Sequence, residues 1–201
     1  LPNKMSTVFS DNKTIPEIII ERFAKAVDIN RIIIATTTNP ADDILVERLS
    51  KLGCKIFRGD EDNVLKRFID AAEFYKAECF FRVCADNPFL NVNFYKDIAS
   101  TECLCKYDYV SFYQDNVPAI KTHYGLFTEF TTIETLKRVA SLTEEQIDIE
   151  HVTPYIYNNE ELFNIKRIEM SSLLKENNWL RLTIDTKEDF DQQLPDLLAI
   201  D

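Results

Sequence analysis

The sequence predicts an α/β protein with three layers, in which a mixed, mostly parallel sheet is covered by helices on both faces. Up to Ser100, short apolar segments alternate regularly with segments of helical periodicity. Two of the apolar segments, Arg31–Thr37 and Cys79–Cys84, are rich in β-branched and aromatic residues, as strands buried on both faces are. Right-handed crossovers would place these two strands as neighbours or near-neighbours in one sheet.

The helices of this first half are marked by capping residues and stops. Thr14 precedes the first helix, and Asn39 with Pro40 begins the second, which Gly53 ends. A third helix is predicted over Asn63–Tyr75 from its apolar face. Each of these helices follows or precedes an apolar segment, so the order of elements supports the layered α/β prediction.

After Ser100 the alternation becomes less regular, although further elements are recognisable. Strands are predicted at Tyr107–Tyr113, Leu126–Thr132, Leu162–Ile168 and Leu180–Ile184, and helices at Ile133–Ala140, Glu150–Asn158 and Lys187–Ile200. No repeat or linker separates them. Residues 1–201 are therefore expected to form a single domain.

The composition excludes several classes of protein. The net charge of −11 argues against a general nucleic-acid binder and against docking on anionic membranes. No apolar run has the length of a membrane span, and no signal peptide is seen. Five cysteines without paired spacing are expected to be reduced thiols, which predicts a cytoplasmic protein. The three glycines, Gly53, Gly59 and Gly125, are too widely spaced for a GxGxxG loop or a Walker P-loop.

Two aspartates follow apolar strands at places where α/β proteins bind ligands. Asp86 comes after Cys79–Cys84, and Asp185 ends the predicted strand Leu180–Ile184. Mg²⁺ is held in proteins by one or two carboxylates together with water and substrate phosphates. The sequence therefore predicts a shared Mg²⁺ site, although each aspartate alone would also suit a turn or a helix cap.

Basic residues near the predicted strand ends are candidates for phosphate binding. Lys4 follows Pro2 in an N-terminal loop, where an ammonium group can act as a point charge for phosphate. Arg58 precedes Gly59 at a strand end, which is a suitable position for a ligand contact. Arg82 lies inside an aromatic strand, so its charge needs either a partner or a place in the site.

Six segments, in this order, resemble one known family. They are LPNK at residues 1–4, ATTTNPADD, FRGDEDNVLKRF, RVCADNPFL, EHVTPYI and LTIDTKEDF. The chain is similar over nearly its whole length to the spore-coat polysaccharide biosynthesis protein F family. That family is related to the CMP-sugar-acid synthetases, the acylneuraminate and deoxy-octulosonate cytidylyltransferases.

The resemblance implies a Rossmann-like nucleotidyltransferase fold and transfer of CMP from CTP to a sugar or sugar acid. The implied reaction needs Mg²⁺, releases pyrophosphate and belongs to surface or spore-coat polysaccharide biosynthesis. The implied site residues are Lys4, Asp86 and Asp185 in catalysis, with both aspartates as metal ligands; Pro2, Lys4 and Arg58 at the nucleotide; and Glu150 and His151 at the sugar.

The chain departs from the family pattern in two places. The family begins with a strand and a loop arginine before L-P-x-K, so this domain is expected to lack its first strand and the start of the phosphate loop. Ala85 stands where the family has a glycine before the metal aspartate.

Two other functions stay open at this point. A glycosyltransferase of the same fold that uses a nucleotide sugar would also place an aspartate and a divalent metal at a strand end. A degenerate nucleotide-binding protein without activity is the second alternative. Lys4 favours the nucleotidyltransferase, because a triphosphate needs that loop. The sugar, the base and the formation of a homodimer are left open.

Overall fold

A computed structural model describes residues 4–177 and 179–192 of the chain. Its strands are β1 (Val8–Ser10), β2 (Lys13–Thr14), β3 (Ile33–Thr37), β4 (Lys55–Gly59), β5 (Cys79–Arg82), β6 (Tyr109–Gln114), β7 (Val117–Pro118), β8 (Glu129–Thr132) and β9 (Ile165–Glu169). Its α-helices are α1 (Ile15–Ala24), α2 (Asp43–Ser50), α3 (Val64–Phe74), α4 (Val92–Ala99), α5 (Ile133–Leu142), α6 (Gln146–His151), α7 (Pro154–Asn158), α8 (Ser172–Glu176) and α9 (Lys187–Gln192).

The strands form a mixed sheet, which confirms the predicted α/β class. The largest sheet has the order β5-β8-β6-β7, and β9 pairs with β6 in parallel. β3 and β4 form a separate parallel pair. Within the described residues antiparallel pairs outnumber parallel ones, because β8 lies between β5 and β6 and runs antiparallel to both. The sheet is thus less parallel than the sequence predicts.

Strand β6 shows how the layers arise from its sequence. Tyr109 and Tyr113 point to one face and join a core with residues of α3, α5 and α7. Val110 and Phe112 point to the other face and pack with α4 and β8. Because successive side chains of a strand alternate between faces, an apolar run of this kind requires cover on both sides.

The caps form largely where the sequence predicts them. Thr14 and Glu17 make a reciprocal capping box at α1, with the Thr14 amide donating to the Glu17 carboxylate at 2.7 Å. Asn39 caps a short 3₁₀ turn, so that α2 begins at Asp43, slightly later than expected. The part of the last predicted helix beyond Gln192 lies outside the described residues.

The predicted strand at Leu180–Ile184 is wrong in detail. Within the described part of the chain this segment has no strand partner, and three backbone hydrogen bonds hold it to two loops. The Leu182 amide donates to the His123 carbonyl at 2.8 Å, and the Ile184 amide donates to the Asp86 carbonyl at 3.2 Å. The alternating pattern of the sequence therefore reflects an extended segment that packs on the protein without belonging to a sheet.

No helix in residues 4–177 and 179–192 is long and apolar enough to cross a membrane.

β3 and β5 are strands, as predicted, but no hydrogen bonds join them. Residues of both strands line an apolar groove of about 890 Å³. Their apolar residues, such as Ile33, Ile34, Phe80 and Phe81, are only half-buried. Each strand pairs with a neighbour along one edge, β3 with β4 and β5 with β8. The groove therefore has the apolar lining and the strand edges that one further strand would require.

We predict that the groove accepts one further apolar strand. A version of the protein to which such a strand is fused should protect the amides of β3 and β5, because the added backbone would pair with them. Hydrogen–deuterium exchange checks this, with an extension interrupted by prolines as the control. Equal exchange from the two extended proteins would contradict the prediction.

Candidate functional site

The candidate site is a cavity of about 300 Å³ at the end of β5 and β8. Its lining includes Arg82, Cys84, Asp86, Asn87, Lys121, His123, Gly125, Glu129, His151, Thr153, Tyr157, Thr183 and Asp185. These residues come from several separate stretches of the chain. Acidic, basic and hydroxyl side chains meet there, as polar ligands require.

Both predicted metal aspartates line this cavity, and a lysine adjoins them. The Ile184 amide donates to the Asp86 carbonyl, which brings the residue before Asp185 against the end of β5. Lys4 donates from Nζ to the Ile184 carbonyl at 2.6 Å, and its Nζ lies 3.7 Å from Asp86 Oδ2. Lys4, Asp86 and Asp185, which lie in three separate segments of the sequence, are thus brought together by the fold.

The carboxylate of Asp185 is not used as a helix cap. Thr186 and Asp189 cap α9 instead, with the Asp189 amide donating to Thr186 Oγ1 at 3.1 Å. Asp185 Oδ2 accepts from Thr183 Oγ1 at 2.9 Å and from Arg181 at 3.1 Å. Asp185 is therefore oriented by its neighbours at the cavity, and the alternative of a capping aspartate does not apply to it.

The aspartates offer a small donor set for a cation. Among the described residues, no group of three or more acidic, histidine or cysteine side chains is arranged to hold a metal ion. Two carboxylates fit Mg²⁺ when substrate phosphates and water complete its shell, since Mg²⁺ is usually bound in that way. The residues present thus suit a cation that arrives with a phosphate ligand.

A buried ion pair between Arg82 and Glu129 forms one side of the cavity, which is called its floor here. Arg82 Nη1 donates to Glu129 Oε2 at 2.6 Å, and their side chains are 11% and 2% exposed. Burial disfavours the charged guanidinium, but Cys84 and Glu129 outweigh burial and raise the pKa of Arg82. Burial, reinforced by Glu129, also raises the pKa of Tyr109, whose hydroxyl donates to Glu129. Arg82 therefore has both of the roles that the sequence allowed, a partner and a place in the site.

The predicted sugar and nucleotide residues separate in the structure. His151, at the end of α6, lines the cavity, whereas Glu150 is exposed and is not among its lining residues. Arg58 is occupied elsewhere: it donates to the carbonyls of Thr37 and Asn39 at 2.8 Å and pairs with Asp43 at 2.7 Å. Arg58 thus ties β4 to the loop after β3, away from the cavity.

Pro2, which was predicted to bind the nucleotide, lies outside the described residues. Several residues of the cavity were not predicted from the sequence. His123, which is exposed, also lines the cavity. Glu129 and Lys121 had no motif around them. Thr153 belongs to the EHVT segment, which was the one available signal. The other residues could be found only by folding the chain.

Solved structures with this fold include several enzymes that transfer nucleotides. A cytidylyltransferase from Leptospira borgpetersenii is 22% identical, with a TM-score of 0.80 over 100% of this chain and 87% of that one. CMP:2-keto-3-deoxy-manno-octonic acid synthetase, solved in complex with CTP, is 12% identical, with a TM-score of 0.57 over 89% of this chain and 91% of that one. These likenesses establish the fold.

Curated relatives are similar in sequence. An uncharacterised protein from Methanocaldococcus jannaschii is 36% identical over 94% of this chain and 74% of its own length. The spore coat polysaccharide biosynthesis protein SpsF from Bacillus subtilis is 30% identical over 95% of this chain and 78% of its own length.

The chain is a nucleotidyltransferase, as the sequence resemblance implied, because a cytidylyltransferase family model matches it. The chain belongs to the cytidylyltransferase family, whose family model matches residues 1–197.

Gly125 is needed where the segment before Asp185 crosses the cavity wall. Its φ is +61°, and a Cβ placed there would lie 2.9 Å from the Leu182 carbonyl oxygen. We predict that Gly125→Ala displaces residues 182–185. It should lower both the enzymatic activity and the melting temperature, because the close contact with the Leu182 carbonyl must be relieved. Enzymatic assay together with thermal unfolding checks this. Gly53→Ala is a matched control, because Gly53 also has a positive φ but a Cβ added to it would meet no atoms within 4 Å. Equal activity of the two variants would contradict the prediction.

Proposed function

We propose that this protein transfers CMP from CTP to a sugar or sugar acid in a Mg²⁺-dependent reaction of polysaccharide biosynthesis. The observation that carries the proposal is that Asp86, Asp185 and His151 line one cavity and that Lys4 contacts Asp86 and the Ile184 carbonyl beside it. Family membership supports the choice of CTP, and similarity to SpsF supports a role in polysaccharide biosynthesis.

The nucleotide would bind with its phosphates at the aspartate end of the cavity. Mg²⁺ held by Asp86 and Asp185 would neutralise phosphate charge and polarise the α-phosphate. Lys4, already placed between Asp86 and the Ile184 carbonyl, supplies an ammonium group for the β- and γ-phosphates. The acceptor oxygen forms a bond to the α-phosphorus as the bond to the departing pyrophosphate breaks. Such a transfer depends mainly on positioning and charge stabilisation.

The acceptor would occupy the rest of the cavity, between the aspartates and His151. The whole cavity has a volume of about 300 Å³, at the lower end of the usual range for small-molecule sites. The part that the phosphates leave free therefore suits a small acceptor, no larger than a monosaccharide. Lys121, His123 and His151 surround it with hydrogen-bond donors for hydroxyl or carboxylate oxygens.

The central test replaces each aspartate by its amide. Asp86→Asn and Asp185→Asn should each lower Mg²⁺-dependent pyrophosphate release from CTP by about 10²-fold or more, because the lost carboxylate would no longer hold the cation that neutralises the charge of the transferring phosphate. Release is measured with a panel of sugars and sugar acids, and circular dichroism checks the fold. Asp97→Asn, on the exposed surface of α4, is the matched control. Near-normal turnover in either site variant would reject the shared metal site.

Lys4 separates the triphosphate reaction from the alternatives. Lys4→Gln should weaken CTP binding by about 10- to 100-fold, since a hydrogen bond to a charged group contributes about 1.5–3 kcal/mol. Binding of CMP should change little, because CMP lacks the β- and γ-phosphates. Calorimetry in the presence of Mg²⁺ measures both ligands. Equal losses for CTP and CMP would favour a glycosyltransferase-like nucleotide site, and binding without any turnover would favour a non-catalytic protein.

A further inference from the structure

Glu129 connects the floor of the cavity to its wall. Its carboxylate accepts from Arg82 on β5, from the Tyr109 hydroxyl on β6 and from Thr153 Oγ1 just before α7. The side chain is 2% exposed, so these donors replace water around a buried charge. Every contact crosses from β8 to another element. Glu129 therefore fixes the mutual position of three separate parts of the chain.

The wall that Glu129 supports contains a strained turn. Val152 has φ +73° and ψ −48°, and the Thr153 amide donates to the His151 carbonyl at 2.9 Å. This is a γ-turn with positive φ, which is rare for any residue and especially unfavourable for a β-branched one. Val152 is fully buried, so the surrounding packing holds it in this conformation. The turn places His151 and Thr153 on the cavity wall.

The hydroxyl of Thr153 contacts the Glu129 carboxylate and makes no capping hydrogen bond to α7. Thr153 stands at the N-cap of α7, where a threonine normally accepts from the helix backbone. No such bond forms; Oγ1 lies 3.2 Å and 3.4 Å from the two Glu129 oxygens instead. The hydroxyl thus joins the strained turn to the buried carboxylate.

We propose that Glu129 and Thr153 are positioning residues, which hold the His151–Thr153 turn and Arg82 in place so that His151 and Arg82 can contact the acceptor. The part of this inference that concerns the acceptor rests on the proposed function. The part that concerns the turn does not. Arg82 lines the cavity, and its buried Nε has no hydrogen-bond partner among the described residues. This N–H group is therefore available to donate to an acceptor bound in the cavity.

Thr153 is the better residue to change. Removing Glu129 would leave the Arg82 charge buried without its partner, which endangers folding. Thr153→Val removes the hydroxyl at nearly constant volume, and Thr153→Ser restores it. Thr131→Val is the matched control: Thr131 is also fully buried, and its Oγ1 donates to the Asp108 carbonyl at 2.9 Å, outside the network.

The first readout needs no substrate. The chain has only two histidines, so NMR signals of the His123 and His151 rings can be assigned by single substitutions. Thr153→Val should shift or broaden the His151 signals, and Thr153→Ser and Thr131→Val should leave them as in the wild type. If Thr153→Val lowers the melting temperature like Thr131→Val but leaves the His151 signals unchanged, the hydroxyl is merely structural and the proposal is overturned.

The second readout separates this proposal from the proposed function. In the pyrophosphate-release assay, Thr153→Val should raise the KM for the acceptor about tenfold, because a displaced His151 would lose about one hydrogen bond to the acceptor. The KM for CTP should stay within about twofold. Thr153→Ser should recover the wild-type KM. Equal increases in both constants would overturn the positioning role. If the wild type releases no pyrophosphate with any acceptor, the proposed function fails, and the NMR result still decides whether Thr153 positions the turn.

Discussion

The buried ion pair between Arg82 and Glu129 is the constraint on which the site depends. Neither charge can be left alone in the interior, because removing one partner of such a pair typically costs about 3–5 kcal/mol. The remaining lone pairs of Glu129 must also be satisfied, which accounts for the donors Tyr109 and Thr153. β5, β6, β8 and the start of α7 are thereby held in one arrangement beneath the cavity.

The opposite side of the cavity is assembled by backbone contacts rather than by a strand. The segment before Asp185 is held at two points, by the His123 carbonyl and by the Asp86 carbonyl. Lys4 adds a third link through the Ile184 carbonyl. These links place Asp185 at the cavity, beside the end of β5. The close approach at Gly125 shows how little room this segment has for adjustment.

The two sides suit different parts of the proposed reaction. The aspartate side has charged groups suited to cations and phosphates, and the side of Glu129 has a hydrogen-bonded network next to His151 and Arg82. Transfer reactions of this kind depend on holding two substrates in line. In the proposed reaction the first side would hold the nucleotide phosphates and the second side would hold the acceptor.

The sequence by itself determined the α/β class and pointed to Asp86 and Asp185, because periodicity, caps and the ends of apolar segments are local properties of the chain. It also pointed to His151 through the EHVT segment, and it required either a partner or a place in the site for Arg82. Only the tertiary structure decided that Glu129 is this partner, that Arg58 is bound to the loop after β3, and that β3 and β5 are separated by a groove. Those outcomes depend on contacts between residues far apart in the chain, such as Arg82 with Glu129 or Lys4 with Ile184. No local pattern encodes such a contact, since it is selected only when burial forces each polar group to find a partner.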